Sequence, residues 1–161
     1  LPSDTNNGTS PAYSLGSTTN YWNTVYAKIF EGTANKAYYA DLAEMYIADN
    51  DYTPGTVMMF GGEKEVTAAK GKANTKVIGV VSTDPAYLMN ANLKNGTAIA
   101  LKGRVPCLVI GKVEKGDFLI ASDIAGVAEV SKTFIGGAVI GKAIEDNNND
   151  DIKIVEVAVG I

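Results

Sequence analysis

The chain has 161 residues, 46% of them hydrophobic and 20% charged, enough for one domain with or without a short appendage to bury about two thirds of its unfolded surface without staples. It contains no histidine, which removes Ser-His-Asp and Cys-His nucleophile systems, His-Glu-x-x-His zinc enzymes and the histidine proton shuttle. A formal net charge of -4 with a single arginine, Arg104, argues against a nucleic-acid partner, and the single Cys107 excludes an internal disulfide.

Residues 1–14 are turn formers and small polar residues with two prolines, and read as a polar linker. They carry no apolar stretch of a signal peptide, and an opening Leu1 suggests a fragment of something longer or a processed product. Residues 15–50 form a distinct segment in which Trp22, Val25, Tyr26, Ile29 and Phe30 fit helical spacing and strand composition about equally. The alanine-rich AYYADLAEMYIA that follows adds the option of a short helix near 36–48. Seven of the eight tyrosines and the only tryptophan precede Pro54. Aromatics so concentrated suit a sugar-binding or protein-binding surface, or packing against other copies of the same segment.

From residue 51 to the end the pattern is β. Four times a turn residue and glycine precede a short apolar run, in TPGTVMMF, KNGTAIAL, EKGDFLIA and IGGAVIGK, and DIKIVEVAVGI alternates as a terminal strand. This predicts a compact, mostly β, antiparallel sandwich or barrel-like domain over 51–161. Val-Ile-Gly recurs at 77–79, 109–111 and 139–141, and the intervening segments do not align, so the recurrence reads as chance in a Val/Ile/Gly-rich chain. The apolar runs, such as Phe134 to Gly141, are far shorter than the roughly 20 residues of a spanning helix, so membrane insertion is not expected.

Carboxylates are the remaining acid-base material. Glu63 with Glu65, and Asp49 with Asp51, are local neighbours rather than pairs converging across a pocket, and read as solvated charge. Asp146 to Asp151 offers many oxygens, but an EF-hand register from Asp146 puts Asp151 where glycine belongs and Val157 where the bidentate glutamate belongs. No metal or other cofactor is therefore expected. Ser82 with Asp84 lacks an activating base, the glycine clusters lack phosphate-loop spacing, and Cys107 sits in an apolar strand as an inert thiol. A non-enzymatic domain is the resulting expectation.

The run LGSTTNYWNTVYAKIFEGTANKAYYADLAEMY resembles a region of phage tail-fibre and appendage proteins. YTPGTVMMFGGEKEV, VIGVVSTDPAYLMN, ALKGRVPCLVIGKVEKGDFLIAS, GVAEV and VIGKAIED resemble the C-terminal domain that closes such virion fibres. The resemblance covers residues 15–161 and implies a homotrimer with an intertwined N-terminal stalk, its interface at Trp22, Val25, Tyr26 and Ile29. It further implies a virion location exposed to the host exterior. The implied partners are other fibre or baseplate proteins and a bacterial surface glycan or protein. Receptor contacts belong in exposed loops, which here points to Tyr87, Asn90, Asn92 and Asn95 and to Asn147, Asn148 and Asn149. VIGVVSTDPA is distantly similar to self-cleaving intramolecular chaperone domains of phage appendages, which gives an alternative function. A collar or decoration component without a receptor is another.

Overall fold

The computed structural model describes residues 19, 20, 22–26, 29 and 41–161. The chain divides into two compact units, Leu1–Asn35 and Lys36–Ile161, and the second carries the strands. These are β1 (Asp41–Tyr46), β2 (Val57–Phe60), β3 (Val66–Ala68), β4 (Val77–Val81), β5 (Tyr87–Met89), β6 (Thr97–Ile110), β7 (Phe118–Ala121), β8 (Ala128–Ser131), β9 (Val139–Ala143) and β10 (Lys153–Val159). The mostly β expectation holds, and the four glycine-led runs begin β2, β6, β7 and β9 where the sequence places them. Pairing is antiparallel except for β1 with β5 and β6 with β8.

The helix option fails at β1. Residues 41–46 are a strand paired to β6 from Asp41↔Gly103 to Tyr46↔Thr97, while 36–40 lie outside the described residues. Alanine, leucine and glutamate favour helix only weakly, by fractions of a kcal/mol per residue. A ladder of backbone hydrogen bonds that leaves Ala43 fully buried outweighs that preference.

Two five-stranded barrels in tandem share β6. In the second, β6, β10, β9, β7 and β8 pair in turn, and the parallel pair Val109↔Ala128 returns β8 to β6. In the first, the amino-terminal half of β6 pairs with β4, then β2, then β3, and the parallel bridge Ala48↔Val66 returns β3 to the end of β1. The two closures lie at matching places, the first through an isolated bridge just past β1 and the second through a short strand pair, and the wiring around them matches. Gly55 N–H donates to Val81 O (2.9 Å) as Gly116 N–H donates to Ala143 O (2.8 Å). Ser82 N–H donates to Ala98 O (2.9 Å) as Ile144 N–H donates to Glu156 O (3.0 Å).

This internal repeat overturns the reading of Val-Ile-Gly as chance. Val77–Gly79 in β4 and Val139–Gly141 in β9 occupy the same place in their barrels, each opposite a register shift, at Met58/Met59 and at Leu119/Ile120. Glycine is required by close approach: a Cβ on Gly79 would stand 2.1 Å from Ala100 O, and one on Gly141 would stand 2.2 Å from Ala158 O. The third copy differs. Gly111 follows β6 with a φ of 80° and nothing near its missing Cβ.

The cores repeat as well. Met58, Val66, Val81 and Ile99 fill the first barrel, and their counterparts Leu119, Ala128, Ala143 and Val157 lie in the core of the second. Complete burial of a side chain such as Met58 or Leu119 contributes about 1.5–3 kcal/mol. On the outer face of the first barrel, Val57, Val80 and Ala100 join the second barrel's core cluster, which fastens the two barrels together.

Candidate functional site

The expected recognition residues fall on two connections. Tyr87, Asn90, Asn92 and Asn95 belong to the β4–β6 connection, and Asn147, Asn148 and Asn149 to the β9–β10 connection. By the internal repeat these are the same connection in successive barrels. The first is longer and contains β5, which lies parallel to β1 with Leu42↔Tyr87 and Glu44↔Met89 in register. Tyr87 is 65% exposed at its start. The structure thus groups four of the expected residues on one loop and three on the other.

Several of these asparagines shape their own loops. Asn90 (φ 54°) and Asn95 (φ 58°) adopt left-handed backbone, which asparagine tolerates better than most residues. The Asn90 amide donates to Met45 O (3.2 Å) and ties its loop to β1. In the second connection Asn147 exchanges both backbone hydrogen bonds with Val113 (2.9 Å each). Asn147 Oδ1 accepts from Asn149 N–H (3.1 Å), and Asn149 Oδ1 accepts from Asp151 N–H (2.9 Å). The Lys153 ammonium donates to Gly111 O and to Asn149 O, and desolvation lowers its pKa despite the nearby charges of Asp150 and Asp151. The acidic loop is therefore organised around a built-in cation. Asn92 and Asn148 are exposed.

Among the other residues singled out from sequence, Asp49 accepts the Tyr52 hydroxyl (2.6 Å), and that hydrogen bond holds its carboxyl below the usual range. Glu65 Oε2 accepts Ile47 N–H (2.7 Å). Cys107 is buried inside the second barrel, where desolvation pushes its thiol up to about 12. No cluster of three metal-ligating side chains occurs among the described residues. An open cleft of about 300 Å³ is lined by Lys72, Ile110, Gly111, Lys112, Glu129 and Val130. Within it Lys72 Nζ stands 2.5 Å from Glu129 Oε1.

In the first unit, Trp22, Val25, Tyr26 and Ile29 are 63, 62, 95 and 78% exposed. Four large apolar side chains within eight positions are uncovered in a single chain.

Sequence reasoning missed a row of side chains across the second barrel. Phe118, Lys142, Ala158 and Arg104 stand side by side on β7, β9, β10 and β6. Lys142 Nζ lies 4.8 Å from the Phe118 ring centroid, and Phe134 packs edge-on against Phe118 at 5.7 Å. The signal available in the sequence was the internal repeat itself, which aligns Phe118 and Lys142 with Val57 and Val80.

With two tandem barrels joined through one long strand, the fold has known counterparts. It resembles the C-terminal fragment of bacteriophage phi29 gene product 12. That match has a TM-score of 0.54 at 14% identity and covers 74% of this chain and 99% of the other. The pre-mature form of phi29 gene product 12 matches with a TM-score of 0.56 at 12% identity over 84% of this chain, which spans 23% of that protein's length. The head fiber gp8.5 N base of phi29 matches at a TM-score of 0.44 and 14% identity, over 73% of this chain and 92% of that one. No family model matches the sequence, and no curated protein matches it.

Proposed function

We propose that this chain is a virion structural domain of a phage appendage, the non-enzymatic C-terminal end of a tail fibre that assembles as a homotrimer and attaches to the bacterial surface. The observation that carries the reading is the fold match, which spans nearly the whole of a C-terminal fragment from a phage protein. The exposed Trp22, Val25, Tyr26 and Ile29 support assembly, because apolar side chains left in water by one chain gain most from burial by others. Tyr87 with Asn90, Asn92 and Asn95, and the Asn147 to Asn149 loop, offer polar and aromatic contacts to a surface glycan or protein. The chain's partners within the virion are other fibre or baseplate proteins.

The test has two readouts. Sedimentation of the full chain should give a trimer, and Trp22→Ser with Ile29→Ser should shift it to monomer. Labelled protein should bind host cells and be displaced by isolated surface polysaccharide. A stable monomer overturns the assembly claim, and a trimer that fails to bind cells leaves a collar or decoration component without a receptor.

One observation supports a second reading, an autoproteolytic intramolecular chaperone. The fold neighbours include a pre-mature form and a C-terminal fragment of the same phage protein. Expression of the longer parent chain discriminates. Release of a fragment cut on the N-terminal side of this domain supports the chaperone, and a parent that stays intact supports the fibre end.

A further inference from the structure

The two barrels of one chain meet in a directional way. The first offers its outer row Val57, Val80 and Ala100, all 0% exposed, and the second offers its β7–β8 loop. Val57 N–H donates to Gly126 O (2.9 Å), Gly126 N–H donates to Ala69 O (2.8 Å), and Gly71 N–H donates to Ser122 O (3.0 Å). The internal repeat then defines two counterpart surfaces that the described residues leave at least partly exposed. The second barrel's own row is Phe118, Lys142 and Ala158, extended by Arg104 and by Phe134, which is 63% exposed. The first barrel's own loop is Gly61–Glu65, beside Phe60, which is 50% exposed.

We propose that the Phe118, Lys142, Ala158 and Arg104 row, with Phe134, receives the Gly61–Glu65 loop of a second copy of this chain, in a head-to-tail contact that repeats between chains the contact made within one. Two features commit the face to this occupant. It is the continuation of an interface the molecule already builds, and the charges are complementary. Lys142 and Arg104 form no ion pair among the described residues, whereas the loop carries Glu63 and Glu65 around Lys64, with Asp49 Oδ2 lying against Gly62. In a protein of net charge -4, copies repel in most orientations, so a local match of sign selects this one.

The contact between chains differs in one respect. Gly126 has a φ of 76°, and a Cβ there would stand 2.6 Å from Thr56 Cγ2. Lys64 takes the equivalent place, so the second copy docks through side chains rather than by the same backbone pairing. Such a contact is weaker than the intramolecular one and depends on concentration. It is heterologous and closes into a ring or extends as a filament. It is separate from the proposed trimer contact, since all of its residues lie in Lys36–Ile161 and Trp22 and Ile29 lie in Leu1–Asn35.

The experiment uses two full-length variants, Lys64→Cys and Phe134→Cys, mixed and treated with a short bismaleimide. Cys107 is buried and does not compete. The expected result is a mixed crosslink as the main product, exceeding the two self-crosslinks. Adding Lys142→Glu to the Phe134→Cys copy should lower its yield several-fold, and adding Glu63→Lys to the Lys64→Cys copy should restore it. Restoration also shows that Lys142→Glu had not simply unfolded the chain. Crosslinking of Lys64→Cys to Asn148→Cys as efficient as to Phe134→Cys, or a yield indifferent to the charge reversals, overturns the proposal.

Discussion

Gly79 and Gly141 show how much of the fold rests on single atoms that are absent. Each faces a carbonyl oxygen on the neighbouring strand, Ala100 O or Ala158 O, with no room for a methyl group. Because the obstacle is backbone rather than a flexible side-chain end, relief requires separating the strands. Gly79→Ala and Gly141→Ala are therefore expected to destabilise by about 1–3 kcal/mol or more, measured by chemical denaturation. Gly111→Ala meets only the cost of its positive φ and should be the mildest of the three. Cys107 supplies a second test at this scale. Its folded-state pKa is raised to about 12 by burial, so its contribution is fully present below the unfolded thiol value and is lost as pH rises toward 12. Cys107→Val should flatten the alkaline fall in stability, and native protein should resist thiol reagents that label the unfolded chain at once.

At the scale of elements, the turn into β7 holds a small ion network. Lys132 donates to Asp117 Oδ1 at 2.8 Å and lies 3.8 Å from Glu114. Burial pushes the Asp117 carboxyl up, but the Lys132 hydrogen bond, the Glu114 N–H and the Lys132 charge outweigh it and leave the pKa lowered. A lowered acid contributes stability that is present above its unfolded value and lost as pH falls through the folded one. Asp117→Asn should therefore reduce the acid-side dependence of stability below about pH 4, followed by thermal melts across that range. The strands around this turn were legible because Lys115-Gly116 and Asn95-Gly96 announce turns and the runs after them are apolar. β1 was not legible. DLAEMY carries helix-forming residues, and its strand state is dictated by β6, which lies more than fifty residues later in the chain. The loops carrying Tyr87 and Asn147 were placed by their turn residues, whereas the Phe118 row, drawn from four strands, shows in the sequence only through the internal repeat that aligns Phe118 and Lys142 with Val57 and Val80.

At the scale of the whole molecule, the repeat and the shared strand make opposite demands on cooperativity. Two barrels with separate cores have the ingredients of two folding units, and Met58 and Leu119 are equivalent fully buried side chains in each. Against separation stands β6, which runs unbroken from Thr97 to Ile110 and supplies a wall to both barrels. The outer row Val57, Val80 and Ala100 is likewise buried with the second core. Opening the first barrel alone would strip one half of β6 of its partners and expose that row, so partial unfolding costs apolar surface from both units. Coupling of this kind predicts one transition. Met58→Ala and Leu119→Ala should each lower stability by about 2–5 kcal/mol and shift a single unfolding curve without splitting it. Hydrogen exchange should show the amides of β4 and β9 losing protection together in either variant. A biphasic curve for Met58→Ala, with β9 amides still protected after β4 has opened, would mean that β6 joins the barrels without coupling them.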